Sequence, residues 1–189
     1  HLDAAMPIII ETYGDRFNVE YARTLALVHD DLEMVTGDVT LHDKELMSSE
    51  EMAQLKEKEK KSIPLLVGRF SPDVNGFKYE ELLQQTVTIT RLEAQVVSYF
   101  DKFDAAGEAW HEVWAGNHHF LFPAHGQNRH DGGYIRRLKE FWTKYPLLIP
   151  LLEKKYAPFQ VEPFDFEKVA REAKPHTVFS LARNSGYPP

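Results

Sequence analysis

An all-α single domain is the fold this sequence predicts, on three observations. Apolar residues recur at helical spacing almost throughout. A chain of 189 residues is long enough for one compact domain with a substantial core. No internal repeat, low-complexity segment or composition shift marks a domain boundary.

Residues 2–13 are mostly apolar and form the first expected helix, in which Pro7 is tolerable within a first turn or as a kink. Gly14-Asp15 is a stop signal, after which Asn18 can cap a second helix. There Ala22, Leu25, Ala26 and His29 recur at helical spacing, which turns His29 inward, and Gly37 ends the helix. The segment 49–62 is dense in Glu and Lys, with Met52 and Leu55 as apolar anchors, and reads as a solvated helix stitched by charge pairs. Residues 68–78, GRFSPDVNGFK, read as the clearest loop. The helical pattern resumes from Tyr79 to about Trp114, weakened by the β-branched run at Thr86–Thr90, which can divide it. Val97, Asp101 and Ala105 share one face of this stretch. A further helix is expected over 134–145, followed by the Pro-punctuated PLLIPLLEKKY and an irregular tail with one short helix at 165–173.

Composition narrows the function. No apolar run approaches the length needed to cross a bilayer, and no signal-peptide pattern is visible, so no membrane partner is expected. The first residue is His1 rather than Met, which leaves room for an upstream segment. Cysteine is absent, so no disulfide, thiolate ligand or thiol nucleophile is available. That fits a reducing compartment and a cytoplasmic location. The net charge of −7 argues against a general nucleic-acid binder. A small phosphorylated substrate is compatible with it, because a bound cation can reverse the local field. Of the histidines, His118, His119, His125 and His130 cluster among glycines and read as a solvated loop rather than a second metal site.

The chemistry concentrates in Leu25-Ala-Leu-Val-His29-Asp30-Asp31-Leu32-Glu33. An imidazole beside a carboxylate after an apolar run is costly to bury unless paired or ligating a metal. Adjacent helical residues diverge by roughly 100°, so the two can approach one cation only from the edge of a groove. Glu33 lies four residues after His29 and three after Asp30, on the same helical face, and Asp38 follows Gly37 where the helix should stop. Taken alone, a His-Asp dipeptide is more simply a hydrogen-bonded core histidine with a solvated carboxylate.

The wider pattern resembles the HD-domain metal-dependent phosphohydrolases, and within them the 5′-deoxynucleotidase-like group, over roughly residues 1–120. That group's metal site is one His, then a His-Asp pair, then a distant Asp; here His1, His29-Asp30 and Asp101 stand in that order. The group's H-D-x-x-E-x-x-x-G-D is matched at every fixed position by His29-Asp30, Glu33 and Gly37-Asp38. Downstream, Asp101 is followed by Glu112 and Ala115-Gly116-Asn117 at the group's spacing. Beyond residue 120 no motif matches, and the loop at 68–78 and the Pro-rich tail look like additions.

The resemblance implies a single HD-domain helical bundle over 1–189, with a motif-bearing core at about 1–120 and a helical extension and irregular tail at about 121–189. It implies one divalent metal (Co, Mn, Zn or Fe, or else Mg) held by His1, His29, Asp30 and Asp101, a donor set of two nitrogens and two oxygens that suits such ions. Two-metal relatives insert extra histidines before the last Asp; here that interval holds only His42, in a polar stretch that reads as surface. Glu33 would orient or deprotonate the attacking water, and Asp38 would contact the sugar or assist the leaving oxygen, unless it is only a turn residue. Asp104 and Glu108 follow Asp101 at helical spacing and are either supports behind the ligands or simply exposed, so they are left outside the site; Arg23 and Lys102 could meet phosphate but read more simply as surface charges. The implied activity is removal of the 5′-phosphate from small (deoxy)nucleoside monophosphates by a homodimer. The alternatives are a phosphodiesterase or pyrophosphatase acting on other nucleotides, and a catalytically silent HD fold that binds a nucleotide or a partner protein. The segment that would precede His1 helps the nucleotidases choose deoxyribose over ribose, so sugar selectivity stays open.

Overall fold

Residues 1–39, 41–114 and 133–154 are described by the computed structural model, and helices dominate them. Helix α1 (Leu2–Tyr13) buries Ala5, Met6, Ile9 and Tyr13 on one face. Pro7 lies on its exposed side, where water can hydrate the carbonyl that a proline ring leaves without a donor. At Gly14 the backbone takes a φ of 54°, a left-handed value that glycine adopts without penalty, and the helix ends. Helix α2 (Val19–Val28) starts as expected, with the Asn18 side chain accepting the Tyr21 N–H at 2.9 Å. It buries Tyr21, Ala22, Leu25 and Val28.

The second helix does not run on to Gly37 as the spacing predicts. It stops at Val28, and the chain tightens through bonds of the i→i+3 type: Asp31 N to Val28 O at 3.1 Å and Glu33 N to Asp30 O at 2.9 Å. A single turn, α3 (Glu33–Thr36), follows and ends at Gly37 with φ 78°. Next come α4 (Leu41–Leu46) and α5 (Ser49–Val67). A reciprocal capping box opens α5: the Ser48 hydroxyl accepts the Glu51 N–H, and the Glu51 carboxylate accepts the Ser48 N–H at 2.7 Å. The surface of α5 is solvated as its charges predict, but the helix passes 62 and runs through Pro64. Ile63 and Leu66 are buried, and that burial holds the last turn against the core.

The segment 68–78 is more than a loop. Strands β1 (Asp73–Val74) and β2 (Phe77–Lys78) pair antiparallel with Asp73 opposite Lys78. Asn75 and Gly76 between them have φ of 50° and 82°, the positive pair a two-residue hairpin turn demands. The Asn75 amide donates to Thr24 Oγ1 at 3.3 Å, and Phe77 meets the Tyr21 ring edge-on at 5.1 Å, so the hairpin docks on α2.

Helices α6 (Tyr79–Thr88) and α7 (Leu92–Trp114) divide at Ile89, where φ is 50°, within the β-branched run. Residues 93–97 of α7 are all buried, which a helix lying on a surface cannot achieve; α7 is the central helix of the described bundle. Its Glu93, only 4% exposed, accepts the Asn18 N–H at 2.9 Å and Arg91 Nε at 3.3 Å. The Arg91 guanidinium in turn lies 4.1 Å from the centre of the Tyr21 ring. Helix α8 (Gly133–Lys144) packs on α7 through Leu138 and Phe141. A 3₁₀ turn at Pro146–Leu148 leads into α9 (Ile149–Leu152), and the Tyr13 hydroxyl donates to the Leu147 carbonyl at 2.8 Å, tying this end to α1. Among the described residues no helix is long and apolar enough to cross a membrane. The late histidine cluster, Ala115-Gly116-Asn117 and the helix expected at 165–173 lie outside the described residues, as do the side chains of His42 and Glu112.

Candidate metal centre

Packing of α2 along α7 brings the end of one helix to the middle of the other. His29 closes α2, and its Nε2 stands 3.1 Å from Asp30 Oδ2 and 3.9 Å from Asp101 Oδ1 on α7. The opposite ring nitrogen, Nδ1, donates to the Ala26 carbonyl at 2.8 Å. A carbonyl only accepts, so Nδ1 carries a proton and Nε2 is the nitrogen turned to the two carboxylates, where a cation between them would take its lone pair. Metal-binding imidazoles are commonly held in this way.

His1 precedes α1, and its Nδ1 contacts Asp104 Oδ1, one turn beyond Asp101 on α7. Its ring stands edge-on to Phe103 with centroids 5.5 Å apart. The structure therefore gathers His29, Asp30 and Asp101, and sets His1 against Asp104 beside them. Among the described residues, no three His, Asp or Glu side chains already stand close enough to form a metal-holding group. The 3.9 Å between His29 Nε2 and Asp101 Oδ1 is within the span that two donors, each about 2 Å from a common ion, can cover. The donor types do fit a divalent cation: imidazole nitrogens and carboxylate oxygens, one imidazole already presenting Nε2.

Glu33 no longer shares a helical face with His29, because the turn between them is too tight, yet it stays in their electrostatic reach. Burial pushes its carboxyl above the ordinary range, and the charges of Asp30 and Asp38 push it the same way, while Lys44 and His29 oppose them. Asp38 is exposed just after Gly37. Two residues that the sequence leaves open touch the candidate ligands. Lys102, read as a surface charge, is half-buried and contacts the second oxygen of Asp101. Asp104 touches His1, and burial raises its carboxyl pKa, against the N-terminal ammonium, which lowers it, and with the charge of Asp101, which raises it. Its place three residues after Asp101 on one helix was the available signal. Arg23 pairs with Asp3 and Glu20 at 2.9 and 3.1 Å, as a surface charge does, and Glu108 is exposed. A groove of about 820 Å³ between α3 and α5, lined by Val35, Lys58 and Leu65 among others, includes none of the proposed ligands.

No curated protein and no solved structure matches the chain. A family model described as 5′-deoxynucleotidase YfbR-like matches residues 3–130, a span that includes His29, Asp30, Glu33, Asp38 and Asp101. This family belongs to the HD-domain phosphohydrolases, hydrolases that act on nucleotides and generally use divalent metals. With about two-thirds of its length matched, the chain belongs to the 5′-deoxynucleotidase YfbR-like family of HD-domain phosphohydrolases.

Proposed function

We propose that the chain is a metal-dependent phosphomonoesterase that releases the 5′-phosphate of (deoxy)nucleoside monophosphates. The observation that carries the reading is the orientation of His29, whose Nδ1 is occupied by the Ala26 carbonyl and whose Nε2 faces Asp30 and Asp101. His1, His29, Asp30 and Asp101 would hold one divalent cation, Co, Mn, Zn, Fe or Mg. When bound, such a cation supplies Lewis acidity toward a phosphoryl oxygen and lowers the proton affinity of water. Glu33 takes the proton of the attacking water, a role that its raised proton affinity suits. Asp38, exposed at the rim, contacts the sugar or assists the leaving oxygen. The family membership and the acidic net charge favour a small nucleotide over a nucleic acid, and the reading includes a cytoplasmic homodimer.

The test is phosphate release from a panel of ribo- and deoxynucleoside monophosphates, cyclic nucleotides and pyrophosphate-linked nucleotides. Chelator-stripped protein receives each metal separately, beside an Asp101→Ala variant. The expected result is monophosphate hydrolysis with a divalent metal and its loss in Asp101→Ala. Activity confined to cyclic or pyrophosphate substrates would overturn the monoesterase reading. No activity with any metal would favour a silent scaffold.

A further inference from the structure

The geometry points to Asp104 as the positioning residue for His1, a carboxylate that holds the imidazole by Nδ1 and presents Nε2 to the metal. The inference rests on the reading in which His1 is a ligand.

Asp104 Oδ1 contacts His1 Nδ1. A carboxylate only accepts, so the neutral ring carries its proton on Nδ1 and leaves a lone pair on Nε2. His29 shows the same polarity through a different partner, with Nδ1 given to the Ala26 carbonyl. In both imidazoles Nδ1 is engaged by an oxygen acceptor, which leaves Nε2 as the nitrogen that would ligate. The plane of the His1 ring is set as well: it stands edge-on to Phe103, which stacks on Tyr99 at 6.2 Å. Tyr99 and Phe100 are buried, so this side of α7 is a firm support. One helix therefore carries both a ligand, Asp101, and, a turn later, the group that aims another ligand. A carboxylate behind an imidazole raises its basicity as well as fixing its tautomer, and such partners typically change metal affinity 10–100-fold.

The test titrates Co²⁺ or Mn²⁺ into chelator-stripped protein by calorimetry, for wild type, Asp104→Asn, Asp104→Glu, His29→Ala and Asp101→Ala. Asp104→Asn should weaken binding at least about 10-fold, and Asp104→Glu should restore most of it. Long-range ¹H–¹⁵N spectra, taken where imidazoles are neutral, should show His1 as the Nδ1–H tautomer in wild type and as a mixture in Asp104→Asn. The thermal unfolding midpoint of the stripped variant should match wild type. Should Asp104→Asn fail to fold, Asp104→Ser takes its place. Affinity and His1 tautomer both unchanged in the Asp104 variants, while His29→Ala and Asp101→Ala abolish binding, would overturn this inference alone. Binding that survives His29→Ala and Asp101→Ala would overturn the metal-centre reading beneath it.

Discussion

The Tyr79 hydroxyl donates to Asp31 Oδ2 at 2.7 Å, so the two successive aspartates after His29 have different partners. Asp30 faces His29, while Asp31 is held by the first residue of α6. The bond anchors the tight turn that carries Asp30 and fixes which of two like side chains is offered to the site.

Tyr79→Phe removes that anchor while keeping the buried ring. Water can reach Asp31, which is only half-buried, so the expected cost is at the low end for a bond to a charged group, about 1–2 kcal/mol. Urea unfolding measures it; an unchanged midpoint would show that the bond contributes nothing.

Glu33→Gln separates proton transfer from metal holding. The amide cannot accept the proton of water, so kcat should fall by about 10²–10⁴ while metal content and KM stay near wild type. A variant that lost its metal would instead place Glu33 among the ligands.

Glu93→Ala leaves the Asn18 N–H without its acceptor and Arg91 without its buried partner. Arg91 is itself partly exposed, which moderates the loss, and about 2–3 kcal/mol of stability should disappear in urea unfolding. Glu93→Gln keeps an acceptor and should cost less.

Stability should decline at alkaline pH. Burial pushes the Tyr13 phenol from 10.0 to about 12, and burial also raises Tyr21, Tyr79 and Tyr99. Below pH 10 these phenols are neutral in both states and contribute no pH dependence. Above it the unfolded chain releases protons that the folded chain retains, so rising pH favours unfolding. For Tyr13 the loss between its two values is on the order of 2–3 kcal/mol. Tyr13→Phe should flatten the alkaline limb of denaturation midpoint against pH, and an equally steep limb would show that Tyr13 does not titrate this way.

Much of the bundle was legible because its signals are local. Asn18 has a side chain that can cap, Thr86–Thr90 is stiff in a helix, and both acted where expected. The passage of α5 through Pro64 was not legible, since burial of Ile63 and Leu66 depends on how α5 packs against other helices, α6 and α3 among them. The hairpin could have been found: Asn75-Gly76 is a strong two-residue turn signal, outweighed by the overall loop-like composition. At the site, the order of His29, Asp30, Glu33 and Asp101 was readable as a motif. The spacing of Asp104 after Asp101 was visible as well, but whether Asp104 and Lys102 are engaged or solvated depends on which way α7 is turned.

Helices α2 and α7 are joined at two stations, Asn18 with Glu93 where both begin and His29 with Asp101 further along. The first station links positions 75 residues apart, so neither is reached until distant parts of the chain have met. Two stations act as a register: sliding one helix a turn along the other would break both at once. A chain in which the two helices have not met keeps His29 away from Asp101, so the candidate site depends on the same packing that builds the fold.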